Sequence, residues 1–263
     1  MNKNDKIYLL LTGTINANRY GTNCAIRDTE VRLNEYEHAL QRYICSSPFT
    51  DIVFIENSEF SFNVEKYESL AKQHNKRFEF ISGTPCVDEV KKYGRSYGDA
   101  FLIHEALHKS KLLEKAEYFY KITGRIFLIN SDRIVKTRLK NRNEFICYTY
   151  SGWCFTNIFK ANTIDYLKYF DDVYLYCDES KVDDIEIMFY KILAENDIET
   201  ASFKTYPYFD GVMGGTGKRY SGGKIERIIR NAMARMNCFD MNSFSSRFVY
   251  LIMRILGRKN YKK

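Results

Sequence analysis

Lys121 and Arg125 stand four residues apart in the run Glu117-Tyr118-Phe119-Tyr120-Lys121-Ile122-Thr123-Gly124-Arg125-Ile126-Phe127-Leu128-Ile129-Asn130, where two cations and a Thr-Gly step interrupt a strand-like apolar stretch. An ammonium and a guanidinium beside a glycine, where a ligand can approach the backbone closely, suit a phosphate or diphosphate. The same spacing also fits a strand-turn-strand hairpin whose Lys and Arg face water.

Two further segments carry recognisable chemistry. His104-Glu105-Ala106-Leu107-His108 matches H-E-x-x-H, in which two histidines one helical turn apart hold zinc and the glutamate activates water. The remaining histidines, His38 and His74, lie upstream, so a third ligand would be a carboxylate with no sequence signal. The competing reading is an amphipathic helix with Leu102, Ala106 and Leu113 inward and the histidines outside. Gly214-Gly215-Thr216-Gly217-Lys218 resembles the tail of a P-loop but fails its spacing, because Val212 and Arg219 occupy the diagnostic positions. Such a loop could close over an anionic substrate or simply cross the surface.

The elements that must position these residues follow from periodicity. Ile7–Thr12, Ile52–Glu56 and Phe78–Ile81 are short β-rich runs. Between and after them lie helical patterns: one capped by Asp28 or Thr29 with Leu33, Tyr36, Leu40 and Tyr43 on one face, one over Val64–Asn75, and one opening near Gly98-Asp99. Strands alternating with helices predict β-α-β units and a mostly parallel sheet, an α/β fold. Ligands of such sheets settle outside the carboxyl ends of the strands, which gathers Thr12-Gly13-Thr14, Glu56-Asn57 and the Gly124 region at one crevice. Beyond Asn130, Phe145–Tyr150 and Trp153–Phe159 read as adjacent strands joined at Ser151-Gly152, a helix spans Asp183–Asn196, and a glycine-rich loop follows from Asp210 to Gly223.

A chain of 263 residues with 45% hydrophobic and 28% charged residues and three prolines can bury a continuous core as a globular protein. Seven cysteines without a C-x-x-C pair imply buried thiols rather than a disulfide framework or a zinc ribbon. No secretory leader pattern opens the sequence and no apolar run spans a bilayer, so the expected location is the cytoplasm, with any membrane contact peripheral. Charge is uneven: Lys218 to Lys263 contain twelve Lys or Arg against Glu226 and Asp240, a net of +10, leaving residues 1–217 at −3 of the chain's +7. The basic C-terminal part therefore expects an anionic neighbour: a membrane surface, a phosphorylated lipid or a nucleic acid.

Four segments together carry a family resemblance. Tyr8 to Thr14 followed by a helix with Arg32 and Tyr36, then Ile52-Val53-Phe54-Ile55-Glu56-Asn57-Ser58, then Gly94-Arg95-Ser96-Tyr97-Gly98-Asp99-Ala100, and then Lys121-Ile122-Thr123-Gly124-Arg125 resemble bacterial glycosyltransferases of capsule and O-antigen (lipopolysaccharide) gene clusters. Phe209-Asp210-Gly211 through Gly217 is similar to the late glycine-rich segment of that family. The resemblance covers about residues 7–220. It implies a GT-A-like, Rossmann-like domain over 1–220 with a basic helical extension over 221–263. The implied activity is glycosyl transfer from a nucleotide sugar to a glycan acceptor, often lipid-linked, at the inner face of the plasma membrane.

The resemblance implies donor binding by Thr12, Gly13, Thr14, Glu56, Asn57, Lys121, Thr123, Gly124 and Arg125. Gly214, Gly215, Thr216, Lys218 and Arg219 would contact the acceptor. The chain departs from the broad GT-A pattern in lacking an Asp-x-Asp after a buried strand, so no cofactor beyond the donor is firmly implied. Lys121 and Arg125 could neutralise the departing diphosphate in place of Mn or Mg. Asp132 and Asp178-Glu179 are the carboxylates left for a metal, and each also fits a solvated surface position. A proton acceptor is expected at the helix start Asp183-Asp184-Ile185-Glu186, with Glu186 first, Asp184 second, and Asp99 at the start of its own helix. Acidic residues at helix starts also serve the helix dipole.

The tail places Phe244, Phe248, Leu251, Ile252 and Ile255 on one helical face, edged by Arg247, Arg254 and Arg258 with Lys259, Lys262 and Lys263 beyond. That composition suits an anionic bilayer surface. A packed terminal helix with solvated arginines is the competing reading. Two rival functions remain: a zinc hydrolase on His104, Glu105 and His108, and a nucleic-acid-binding module on the basic tail, against which no recognisable nucleic-acid motif stands beside the basic segment.

Overall fold

The computed structural model describes residues 6–21, 24–214, 216–220 and 222–255. Its strands are β1 (Tyr8–Gly13), β2 (Asp51–Glu56), β3 (Arg77–Ser82), β4 (Tyr118–Thr123), β5 (Phe127–Leu128), β6 (Asn143–Glu144), β7 (Cys147–Tyr148), β8 (Trp153–Cys154), β9 (Ile158–Asn162), β10 (Thr200–Ala201) and β11 (Phe209–Asp210). The helices are α1 (Thr29–Ser46), α2 (Val64–Gln73), α3 (Val87–Tyr93), α4 (Arg95–Lys109), α5 (Ser131–Thr137), α6 (Thr163–Tyr169), α7 (Ile185–Glu195), α8 (Lys224–Arg235) and α9 (Phe244–Ile255).

Seven strands form one sheet in the order β10-β6-β9-β4-β1-β2-β3. β4, β1, β2 and β3 run parallel, and β9 is antiparallel to both β4 and β6. The expected α/β fold with a mostly parallel sheet flanked by helices is therefore what forms. Side chains of successive strand residues point to opposite faces, and the two cores follow that alternation. Leu9, Leu11, Tyr120 and Ile122 join α1 in one core. Tyr8, Leu10 and Phe119 join the α4, α6 and α7 side in the other. By the same parity Thr12 and Lys121 face α4, a placement on which the site depends.

Helix α1 starts where the sequence places it: the Asp28 carboxylate accepts from Val31 N at 2.9 Å, satisfying a backbone donor that the first turn leaves without an intrahelical partner. Three expectations are corrected. The third helix begins earlier, at Arg95, behind a separate α3, because Gly94 at φ 100° breaks the chain between them. That helix stops at Lys109, and Leu113 is buried in a short 3-10 turn of its own. The pairing expected across Ser151-Gly152 is confined to β7 and β8, while Ile158–Asn162 leaves it to become an inner strand of the main sheet.

The run Lys121 to Arg125 is not a solvent-facing hairpin either: β4 ends at Thr123, and β5 pairs with β11 rather than folding back on β4. In the C-terminal segment, Ala234 and Phe239 are buried in the α1-side core. Arg258, Lys259, Lys262 and Lys263 lie outside the described residues, as does Gly215. No helix among the described residues is long and apolar enough to cross a membrane.

Candidate active site

A cleft of about 1100 Å³ opens where β1, β2 and β4 end and where β9 begins, lined there by Thr12, Gly13, Thr14, Asn57, Thr123 and Asn157. The loop after β1 is held from beneath. Arg32, buried on α1, donates from Nε to the Thr14 carbonyl at 2.9 Å, and the Tyr36 hydroxyl accepts from Thr14 N at 2.9 Å. Thr14 Oγ1 donates to Asn57 Oδ1 at 2.7 Å, tying the β1 loop to the β2 loop. Glu56 is buried just behind them and accepts from Ile15 N at 2.8 Å and Ser58 N at 3.0 Å. It orders both loops and does not reach the cleft surface.

Asp99 sits at the mouth of α4 with both carboxylate oxygens engaged: Thr12 Oγ1 donates at 2.8 Å to one and Lys121 Nζ at 2.7 Å to the other. Lys121 is 0% exposed, its ammonium also donates to the Thr156 carbonyl at 3.3 Å, and it lies behind the cleft wall. The expectation that Lys121 grips a pyrophosphate directly is thereby corrected: strand alternation turns it into the α4 layer, where Asp99 takes up its charge. Gly124 is corrected in the same way. A Cβ there would lie 2.8 Å from the Thr12 carbonyl, which accepts from Gly124 N at 2.9 Å, so the neighbouring strand and not a ligand occupies the close approach.

Arg125 does line the cleft. It is 5% exposed and donates from its NH1 to Glu35 Oε2 at 2.5 Å. Burial works against its charge, but Tyr36 and Glu35 outweigh that and hold its pKa above the ordinary arginine value.

The α4 and α7 side of the cleft is acidic, with Asp99, Glu179, Asp184 and Glu186. Glu179 accepts from Ser96 N at 2.9 Å and Ser96 Oγ at 3.0 Å, closing the start of α4. Asp184 caps α7 by accepting from Ile187 N at 2.9 Å, and burial raises its pKa. Glu186 is half-buried in the first turn of α7 and accepts from Thr156 Oγ1 at 3.2 Å. Burial foremost, with Asp184 and Asp99 adding repulsion, pushes its pKa up to about 7. A carboxyl poised near neutrality inside a cleft can exchange a proton with a bound substrate.

These acids do not form a ready metal site. Asp99 already spends both oxygens, Asp184 caps its helix, and among the described residues no three His, Cys, Asp or Glu ligand atoms converge in the cleft. Asp132 is exposed on α5, and Asp178 accepts from Ser180 N at 3.1 Å and pairs with Lys181 at 2.9 Å.

The lining also carries features that the sequence did not flag. Arg227 and Arg230 of α8 line the cleft, Arg230 donating to the Tyr206 hydroxyl at 2.5 Å and pairing with Glu226 at 2.7 Å. In the sequence they read as part of a basic tail, since nothing local signals that α8 folds back on the sheet. Tyr148, Trp153, Phe155, Tyr206, Tyr208 and Tyr220 add an aromatic surface. Asn157 donates to the Tyr220 hydroxyl at 2.6 Å, and burial pushes that phenol up to about 12. Of the glycine-rich loop, Gly214 lines the cleft, whereas Thr216, Lys218 and Arg219 are exposed outside it.

The H-E-x-x-H helix forms, but its glutamate is turned elsewhere. Glu105 accepts from Thr84 N at 2.7 Å, from Thr84 Oγ1 at 2.6 Å and from Lys109, and burial notwithstanding, these partners lower its pKa. Committed to that network, it is no water-activating base, which removes the hydrolase reading.

No protein-family profile matches the chain, and no curated protein matches it. Solved structures do resemble it. The bifunctional glycosyltransferase WbbM aligns with TM-score 0.47 and 11% identity over 90% of this chain and 45% of that one. A candidate nucleotide-diphospho-sugar transferase from Desulfovibrio desulfuricans G20 gives TM-score 0.46 and 11% identity, with 74% and 78% covered. The mannosyltransferase Ktr4p from S. cerevisiae gives 0.40 and 12%, with 89% and 80% covered.

Proposed function

We propose that this chain is a GT-A-like glycosyltransferase that moves a sugar from a nucleoside-diphosphate donor to a glycan acceptor. The observation that carries the reading is Glu186, its pKa pushed up to about 7, in a cleft at the carboxyl ends of the parallel strands that Arg125, Arg227 and Arg230 also line. The donor rests over Thr12, Gly13, Thr14, Asn57, Thr123 and Arg125, with Arg227 and Arg230 added as partners for its phosphates. Glu56, Lys121 and Gly124 shape that surface from behind.

In the transfer, Glu186 takes the proton of the acceptor hydroxyl as its oxygen attacks the anomeric carbon. The bond from that carbon to the phosphate oxygen breaks, and the electron pair leaves with the nucleoside diphosphate. A base in this role makes the reaction inverting. The guanidinium groups offset the charge that grows on the leaving diphosphate. Asp184 raises the pKa of Glu186, and Asp99 anchors the β1 end.

The acceptor enters between α7 and the loop around Gly214, with Thr216, Lys218 and Arg219 on its rim. Aromatic rings beside the cleft suit the apolar faces of sugar rings. A lipid-linked acceptor in surface polysaccharide synthesis, met at an anionic inner membrane face, agrees with the exposed apolar residues of α9, Phe244 at 82% among them.

The test is calorimetric binding of a panel of nucleoside diphosphates, followed by transfer from the matching nucleotide sugars. Binding by the parent, with turnover but not nucleoside-diphosphate binding lost in Glu186→Gln, supports the reading. Absence of binding across the panel sinks it, and release of pyrophosphate from a nucleoside triphosphate plus a sugar phosphate would redirect it to nucleotidyl transfer.

A further inference from the structure

The two histidines that the hydrolase reading cannot use are nonetheless aimed at a common point. On α4, His104 and His108 are four residues apart and so share one face of the helix. A third group reaches them from a remote segment: Asp171, in the turn between α6 and the short 3-10 helix Val173–Tyr176. Asp171 Oδ1 lies 3.0 Å from His104 Nδ1, and Asp171 Oδ2 lies 2.8 Å from His108 Nε2. All three ligand atoms fall within 4.8 Å of one another, and no other such group occurs among the described residues.

We infer that His104, His108 and Asp171 form a binding site for a first-row divalent metal ion that favours imidazole, zinc foremost. Two imidazole nitrogens and a carboxylate oxygen are a donor set that zinc takes, leaving a fourth position for water. Tetrahedral bonds of about 2.0–2.2 Å separate neighbouring ligand atoms by roughly 3.3–3.5 Å. The histidine-to-carboxylate distances need to open by a few tenths of an ångström, which side-chain rotation supplies.

The site is partly preorganised and partly open. The His104 ring stacks on Phe101 with centroids 5.9 Å apart and meets Tyr174 at 5.1 Å, so its plane is held by packing. The side chain of His108 is 51% exposed, which gives an ion access from solvent, while that of Asp171 is 18% exposed. The position of Glu105 in the Thr84 and Lys109 network keeps a general base away, so the site is structural. It joins the C-terminal half of α4 to the segment that runs on through Glu179, which closes the start of α4 at Ser96, and then to α7 with Glu186. An ion there clamps one side of the cleft from its outer surface. This inference stands independently of any glycosyl transfer.

The experiment uses the full chain, stripped with chelator and then titrated with zinc and with cobalt(II). Expected are one bound zinc per chain by equilibrium dialysis, a rise in Tm on zinc addition, and cobalt d–d bands without thiolate charge transfer. Asp171→Asn and His108→Ala each weaken zinc binding more than about tenfold, a loss that even supporting groups around a metal produce. Because His108 is exposed, its removal leaves the fold intact and the test interpretable. No zinc bound above background, or wild-type binding kept in both variants, overturns the inference, as does a cobalt spectrum dominated by thiolate charge transfer.

Discussion

Lys121 Nζ lies 2.7 Å from Asp99 Oδ2, so the cation that the sequence offers to a ligand is spent on a carboxylate of its own chain. A fully buried ammonium that loses its partner is strongly destabilised. Asp99→Asn is therefore expected to cost about 3 kcal/mol in urea unfolding, since breaking one side of a buried pair costs roughly 3–5 kcal/mol and Asp99 keeps some solvent contact. The double variant Asp99→Asn/Lys121→Met should lose less than the two single changes combined. If Lys121→Met leaves stability unchanged and raises only the donor KM, the ammonium touches substrate after all.

The proposed role of Glu186 carries a pH dependence. As a base it works deprotonated, so kcat should rise through a pH of about 7 and level off above it, following its raised pKa. Asp184→Asn removes a neighbouring negative charge and should move that limb to lower pH. Glu186→Gln should lower kcat by about 10²–10⁴-fold, the usual range for a lost general base. Stability moves the other way. The folded-state pKa is raised from an unfolded value of about 4.3, so the stabilising contribution is present below that value and lost as pH climbs through about 7. Glu186→Gln should then be relatively more stable than the parent at pH 8 than at pH 5 in thermal unfolding. A flat difference between the two pH values counts against the assigned environment.

Gly124 offers a backbone test. Its absent Cβ would sit 2.8 Å from the Thr12 carbonyl and 3.1 Å from the Tyr36 ring. Gly124→Ala has to push the β1 and β4 ends apart, and overpacking of this kind costs about 1–3 kcal/mol. Both stability and donor affinity should fall together. Unaltered stability with lost affinity would instead mean that a ligand fills the space.

The parallel strands and α1 were legible because period-two and 3.6-residue patterns were long and clean, and Asp28 marked a helix start. So was the gathering of Thr12, Asn57 and Thr123 at one edge, since it follows from strand direction alone. What could not be read was which face Lys121 takes: its neighbours Tyr120 and Ile122 are as apolar as Phe119, and only pairing with β1 in register decides that it meets Asp99. Asp171 meets His104 across 67 residues of chain and Arg230 of α8 meets Tyr206 across 24, contacts set by packing that leave no local mark.

Arg227 and Arg230 make a division testable between ground-state binding and structure. Arg227→Ala and Arg230→Ala should each raise the donor KM by about tenfold, the effect of roughly 1.4 kcal/mol. Arg227 is exposed, so its replacement should spare Tm. A donor KM unchanged from the parent in both variants would separate α8 from the donor.

The C-terminal helices predict how the chain meets a surface. On α9, Phe244, Phe248, Leu251 and Ile255 are more than half exposed, and on α8 Ile225, Ile228 and Ile229 are as well. Apolar stripes of this kind with Arg247 and Arg254 at the α9 edge suit the headgroup region of an anionic bilayer. Basic residues near such a surface contribute about 1 kcal/mol each, an attraction that fades within a Debye length of about 8 Å at 0.15 M salt. The chain should co-sediment with vesicles containing phosphatidylserine or phosphatidylglycerol, and weakly with phosphatidylcholine alone. Raising salt should release part of the bound protein, while Phe248→Ser and Ile255→Ser should each reduce partitioning about tenfold, because burying such a side chain is worth about 1.5–3 kcal/mol. Binding to neutral and anionic vesicles alike, unaffected by either serine variant, would assign these faces to contacts with protein rather than lipid.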